Sequence, residues 1–191
     1  VEKKGFPFLI EACRIIREHG VPFHCRIVGE PDEQTDLVQD LIRLYNLEQE
    51  VAIGPGVSQE ELRAIYQEAT VFVLPCHIVD SGDRDGIPNV LAEAMASGVP
   101  VISTVVSGIP EIIEDRRNGL LVAPRDPVAL AKAIEELLVD PDFRNNLAQA
   151  GCETICRIFD SNETTRQLFD LFQTDPVWTA AHHQEAHAAC H

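Results

Sequence analysis

Basic residues are scarce in this 191-residue chain: fifteen Lys and Arg stand against thirty-one Asp and Glu, a formal charge of −16. Such a surplus repels a phosphate backbone or an anionic bilayer at long range, so nucleic acid is not an expected partner. A local cationic site for a phosphorylated small molecule stays open, because one or two lysines and a helix N-terminus act over a few Å whatever the net charge. Long hydrophobic runs are missing as well. No stretch of about 18 apolar residues occurs, and no transmembrane segment is expected. The six cysteines, Cys13, Cys25, Cys76, Cys152, Cys156 and Cys190, form no C-x-x-C pair and no spacing typical of a disulfide framework, which fits a reducing, cytoplasmic setting. Cys152 and Cys156 lie one helical turn apart and could hold a metal, but small cysteines on an apolar helix face read as core. There is no internal repeat and no Gly/Ser-rich linker. Val1 is followed directly by Glu2, Lys3 and Lys4, without an initiator Met or a signal peptide, so the gene product is expected to begin upstream.

What is present is the balance of a globular chain, 45% hydrophobic and 24% charged. Apolar positions at helical spacing run from Gly5 to His19 and stop at Gly20 and Pro22. Short apolar strands are expected at Phe23–Val28, Val51–Ile53, Thr70–Leu74, Val99–Ser103 and Gly119–Val122. Helices are expected between them: Glu33–Tyr45, one capped by Ser58 with Glu61 as a capping box, one opened by Pro88 and running through Ala96, and a short one after Gly108 and Pro110. Pro127–Leu138 and Pro141–Ile158 follow as helices. Continuous apolar strands alternating with amphipathic helices imply α/β architecture, a doubly wound parallel sheet covered on both faces. Ligands then bind at the carboxyl ends of the strands, and the longest loop there runs from Cys76 to Pro88. Residues 1–160 are expected to form this domain, 161–173 a C-terminal helix, and 174–191, rich in Ala, His and Gln, a poorly ordered tail.

The segment Asp85-Gly86-Ile87-Pro88-Asn89-Val90-Leu91-Ala92-Glu93 sets one carboxylate just before a helix and a second inside it. The amides of Asn89, Val90 and Leu91 would point out of the helix N-terminus as a phosphate site, with Asp85 either facing the ligand or serving as a helix-dipole partner. The run from Asp85 through Gly98-x-Pro100-Val-Ile-Ser103, followed by Ser107-Gly108-Ile109-Pro110-Glu111, resembles the signature of glycosyltransferase family 4, the group-1 glycosyltransferases. The resemblance extends through Val28-Gly29-Glu30, Gly56-Val57-Ser58, Phe72-Val73-Leu74-Pro75 and Asn118-Gly119-Leu120-Leu121-Val122.

This resemblance implies the C-terminal, Rossmann-like half of a GT-B fold. It implies retaining transfer of a sugar from a UDP- or GDP-sugar to an acceptor hydroxyl, without a cofactor or essential metal, the donor's own phosphate helping to remove the acceptor proton. Asp85, where the family usually has Glu, would hold hydroxyls of the transferred sugar, and Glu93 the two ribose hydroxyls, for which a carboxylate has two acceptor oxygens. Lys4, before Gly5, resembles the family's diphosphate lysine and would stabilise charge growing on the leaving group; the family's accompanying arginine falls ahead of Val1. Without the family, Lys4 reads as a solvated lysine. The base would sit against backbone near Gly29, Gly56 and Val57, and Gly86 and Ile87 would line the donor site; these glycines also read as ordinary turn residues. Glu111 matches the family's glutamate and equally reads as a first-turn helix residue. The acceptor, a glycan or a lipid-linked sugar, would be held by an N-terminal domain outside this chain. The insertion Val79–Asp85 resembles members that build bacterial exopolysaccharides, and peripheral attachment to the inner membrane stays open for the full-length protein.

Three other readings are weighed against this one. A Ca²⁺ loop at Asp80, Asp83 and Asp85 lacks the alternating ligands and closing Glu of an EF-hand. His182, His183, His187, Cys190 and His191 could chelate Zn²⁺ at helical spacing, against the reading as tail. A non-catalytic nucleotide-binding or regulatory α/β module would use Asp85 and Glu93 only to cap and solvate a helix. The first element is a helix, so in the strand order 3-2-1-4-5-6 the central strand is expected to be missing, between those at Phe23 and Thr70. The isolated chain is accordingly expected to aggregate or stay molten, and not to transfer sugar.

Overall fold

A computed structural model describes residues 2–159. The helix expected at 161–173, and the tail at 174–191 with its metal alternative, lie outside the described residues. The chain divides into two units, Val1–Thr154, which holds the described strands, and Ile155–His191, of which residues 155–159 are described.

The strands pair in parallel throughout. β1 (Cys25–Val28) and β2 (Val51–Gly54) form one sheet, in register from Cys25 with Val51 to Val28 with Gly54. β3 (Phe72–Val73), β4 (Val101–Thr104) and β5 (Leu120–Val122) form a second in that order. All four residues of β4 are buried, as a strand flanked by neighbours and covered on both faces requires. No ladder joins β1 to β3 among the described residues.

Among the described residues seven helices connect or follow the strands: α1 (Phe6–Glu18), α2 (Thr35–Leu44), α3 (Gln59–Glu68), α4 (Asn89–Ala96), α5 (Ile109–Ile112), α6 (Pro127–Val139) and α7 (Pro141–Ile158). Leu9, Ile10, Ala12, Cys13 and Ile16 recur at helical spacing on α1 and bury one face. They join Val38 and Ile42 of α2, Leu130, Ile134 and Leu137 of α6, and Ile27, Val51, Ile102 and Leu120 from the strands in one core. Each such side chain contributes ~1.5–3 kcal/mol through burial. A second buried set, Tyr66, Leu91, Ala94, Met95, Ile109 and Ile112, comes from α3, α4 and α5 and lies outside that core cluster. Apolar burial by two groups of helices is the doubly wound arrangement. α3 starts on the expected capping box, in which the Glu61 amide donates to Ser58 Oγ at 3.3 Å and the Ser58 amide to Glu61 Oε2 at 2.9 Å.

Several expectations need correction. The strand expected from Phe23 begins at Cys25, whose amide donates to Glu50 O at 2.7 Å, because β2 offers no partner before that point. The one expected over Thr70–Leu74 is only Phe72–Val73, matched to Val101 and Ile102. Pro88 is the extended N-cap of α4, and the helix starts at Asn89. Cys152 is half-buried and Cys156 exposed, so they are not the core pair expected. The buried positions of α7 are Leu147, Gly151 and Ile155, four residues apart, and each cysteine sits one residue, about 100°, further round the helix.

Candidate functional site

The site grows from the carboxyl end of β3. After Val73 the chain turns sharply, the Cys76 amide donating to Leu74 O at 2.9 Å. Two buried hydroxyls of β4 fix this turn: Ser103 Oγ donates to Leu74 O at 2.7 Å and Thr104 Oγ1 to Cys76 O at 2.5 Å. Against the turn lies the 3-10 turn Glu2–Lys4 that precedes α1, its Lys3 carbonyl accepting the His77 amide at 3.0 Å. Gly5 makes the approach possible. Its φ is +71°, and a Cβ built there would stand 2.0 Å from Pro75 O, so only glycine fits.

This packing delivers Lys4 to the signature. Lys4 Nζ is 2.8 Å from Asp85 Oδ2, across eighty-one positions of sequence, with both side chains about one-fifth exposed (24% and 18%). Cys76 Sγ lies 3.9 Å from the same carboxylate oxygen, and burial first, then the Asp85 charge, pushes its thiol up to about 11 despite Lys4 nearby. Lys3, which sequence reasoning passed over, is a second cation here. Its Nζ is 3.1 Å from Asp83 Oδ2 and 3.6 Å from Asp85 Oδ1, and the hydrogen bond to Asp83 holds its pKa above the usual lysine value. The carboxylates weighed as a Ca²⁺ loop each face a cation: Asp80 meets Arg125 at 3.3 Å, Asp83 meets Lys3, and Asp85 meets both lysines.

α4 carries the rest of the signature. Glu93 is half-buried, and Tyr66 Oη donates to its Oε2 at 3.4 Å and to Val90 O at 3.3 Å. Burial, reinforced by the Glu93 charge, holds the phenol protonated well above its usual range. Tyr66 is a second missed residue; its only sequence signal is an apolar position on α3. Leu91 does not offer the free amide expected of it, since its N–H donates to Pro88 O at 3.0 Å and closes the first helical turn. The amides of Asn89 and Val90 precede that bond and carry the positive end of the helix. Gly86 is exposed, with open space where a Cβ would be, whereas Ile87 packs on Gly108, whose Cβ would meet Ile87 Cγ1 at 2.8 Å. Glu111 is exposed in the first turn of α5.

The residues expected around the base lie at the ends of β1 and β2. Gly29 lines a cavity of about 230 Å³ together with Phe6, Ile27, Val28, Glu30 and Gly54. Gly56 and Val57 do not line it. Gly56 lies instead under the side chain of Glu30, whose Oε1 would be 2.2 Å from a Cβ there. Phe6, which also lines this cavity, stands two residues after Lys4 at the start of α1. Among the described residues no group of His, Cys, Asp and Glu is arranged to hold a metal ion, and no helix is long and apolar enough to cross a membrane.

Comparison with known proteins places this geometry. The family model described as glycosyl transferases group 1 matches residues 1–154. A Salmonella typhimurium protein named as a colanic acid biosynthesis glycosyltransferase is 39% identical over 174 residues, 91% of this chain and 43% of the relative. The amylovoran biosynthesis glycosyltransferase of Erwinia amylovora is 41% identical over 136 residues, 71% of this chain and 33% of its own. The chain thus spans less than half the length of these curated relatives. Among solved structures, the sucrose-phosphate synthase of Thermosynechococcus elongatus superposes with a TM-score of 0.76 at 29% identity, over 91% of this chain and 42% of that one. The fold is the C-terminal Rossmann-like domain of GT-B glycosyltransferases, as expected from the signature. By sequence and by fold, the chain belongs to the group 1 glycosyl transferases.

Proposed function

We propose that this chain is the donor-binding half of a retaining glycosyltransferase that moves a sugar from a UDP- or GDP-sugar to an acceptor hydroxyl, in the synthesis of a bacterial exopolysaccharide or related glycan. The observation that carries the reading is the Lys4–Asp85 contact at 2.8 Å, which sets a cation and a carboxylate side by side just ahead of α4, with Glu93 further along the same helix. Lys4 and the amides of Asn89 and Val90 take the diphosphate, where a fixed positive field stabilises the charge that develops as the glycosidic bond breaks. Asp85 accepts hydroxyls of the transferred sugar, and Glu93, backed by Tyr66, accepts the ribose hydroxyls. The cavity beside Gly29 takes the base, between the ends of β1 and β2. Gly86 and Ile87 line the way between sugar and phosphate. The acceptor and its binding groups belong to the rest of the full-length enzyme. The names of the relatives, colanic acid and amylovoran biosynthesis, support the polysaccharide setting.

Calorimetry on the full-length protein tests the division of contacts. Glu93→Ala weakens UDP or GDP and the corresponding nucleotide sugar alike, by roughly tenfold to a hundredfold, the range for loss of charge-assisted hydrogen bonds. Asp85→Ala leaves the nucleoside diphosphate near its original affinity and slows transfer. Unchanged nucleotide affinity in the Glu93 variant refutes the assignment.

A further inference from the structure

We propose that Lys3 is a positioning residue of the donor site, which pins the insertion loop 79–85 through Asp83 and thereby fixes the orientation of the Asp85 carboxylate beside Lys4. The proposal rests on the reading of Asp85 as a sugar contact. The loop closes on itself at its base: the Gly82 amide donates to Val79 O at 2.8 Å and the Val79 amide to Asp83 O at 3.1 Å, with Val79 buried. Its outer residues, Asp80 to Arg84, are exposed and need outside anchors. Arg125 supplies one, with Nη2 2.9 Å from Ile78 O and 3.3 Å from Asp80 Oδ1. Lys3 supplies the other. Its backbone is already tied to the end of β3 through His77, so the ammonium starts from a fixed point and reaches both Asp83 oxygens, at 3.1 and 3.3 Å.

The consequence falls on Asp85, two residues further on. One of its oxygens faces Lys4 at 2.8 Å and the other faces Lys3 at 3.6 Å, so two cations on adjacent residues define the plane of the carboxylate. The two lysines differ in what surrounds them. Lys3 has both oxygens of Asp83 and one of Asp85 for its three protons, whereas Lys4 pairs with a single carboxylate oxygen and keeps donors for a phosphate. Lys3 therefore organises the sugar end, and Lys4 serves the diphosphate.

The test uses the full-length protein with Lys3→Met, Asp83→Asn and the double variant, and Lys3→Arg as the conservative rescue. Hydrogen exchange of residues 78–86 needs no ligand. Each single variant is expected to speed exchange there about threefold to tenfold, and the double variant no more than either, since one contact is lost in all three. Calorimetry with UDP, GDP, UDP-glucose and GDP-mannose then reads the gain in affinity that the sugar adds over the nucleotide; Lys3→Met lowers that gain and leaves UDP or GDP within about twofold, and Lys3→Arg restores it. Unchanged exchange or additive effects in the double variant overturn the anchoring. A loss of UDP or GDP affinity as large as the loss for the sugar nucleotide overturns the positioning role and makes Lys3 a phosphate ligand. Asp85→Asn separates the two layers: if it leaves the sugar increment intact while the exchange results hold, the reading of Asp85 fails and the anchoring stands.

Discussion

Replacing Gly5 and Gly20 by alanine, one at a time, separates backbone strain from the packing that builds the site. Both glycines have a left-handed backbone, with φ of +71° and +75°. An alanine in that region costs about 1–2 kcal/mol, offset by the ~0.4–1 kcal/mol gained from a stiffer unfolded chain. At Gly20 nothing lies within 4 Å of the added carbon, so the strain is the whole effect, about 1 kcal/mol net. At Gly5 the carbon would stand 2.0 Å from Pro75 O and 3.0 Å from Pro75 C. That oxygen is roughly 1.5 Å inside ordinary contact. It is main chain, in a turn held by Ser103 and Thr104, and cannot rotate away. Overpacking of this kind adds about 1–3 kcal/mol or more, so Gly5→Ala is expected to cost at least ~1 kcal/mol beyond Gly20→Ala. The turn relaxes by pushing Lys4 outward, and a shift near 1 Å costs on the order of a hundredfold in catalysis. Urea unfolding of the two full-length variants, followed by circular dichroism, gives the stability difference, and calorimetry with UDP and GDP gives the effect on the cation. Equal destabilisation by the two substitutions, or unchanged nucleotide affinity in Gly5→Ala, would refute the packing argument.

Thr104→Val removes the donor to Cys76 O and leaves a buried carbonyl unsatisfied, at a cost of ~1–3 kcal/mol by urea unfolding; Thr104→Ser keeps the hydroxyl and should recover most of it. Glu136 makes two hydrogen bonds with Arg116, at 2.6 and 3.0 Å, and these hold its pKa below the usual carboxylate value. A carboxyl with a depressed folded pKa stabilises the fold above its unfolded pKa, and that contribution disappears as pH falls through the folded value. Glu136→Gln is therefore expected to lower the melting temperature at neutral pH, by an amount that shrinks as the solution is acidified below the ordinary carboxylate range. A difference that stays constant down to that range would show that the charge is not what matters.

The order of the elements was legible because period and punctuation are local. α7 occupies the expected Pro141–Ile158, and the capping box at Ser58 and Glu61 forms as written. Strand ends were not legible, since an apolar run says which residues can be buried and only the partner strand says which are paired. Thr70 and Val71 continue the apolar segment but have no place in the ladder opposite Val101. The helical period also misplaced Cys152 and Cys156, because two residues four apart share a face without that face being the buried one. Within the site, Asp85 and Glu93 drew notice as two carboxylates around a helix N-terminus and Lys4 only by resemblance; the contact between Lys4 and Asp85 had no signal in the sequence. Lys3 had no signal of its own beside Lys4. The salt bridges that distinguish them depend on a fold contact between the start of α1 and the end of β3. Leu91 failed for a different reason: its amide closes the first turn of α4, a bond visible only when the cap is known to be Pro88.

The contact between Gly5 and the Pro75 carbonyl has a bearing on how this scaffold can be altered. The backbone of Lys4 is placed by main-chain atoms on either side, the Lys3 carbonyl that accepts the His77 amide and a glycine without a side chain. A cation carried in that way keeps its backbone position when its side chain is changed, so Lys4→Arg alters the chemistry of the site and not the path of the chain. Residues that look like ordinary turn spacers, Gly5 and Pro75, are then the ones a library should leave untouched, because both lysines of the donor site hang on their contact.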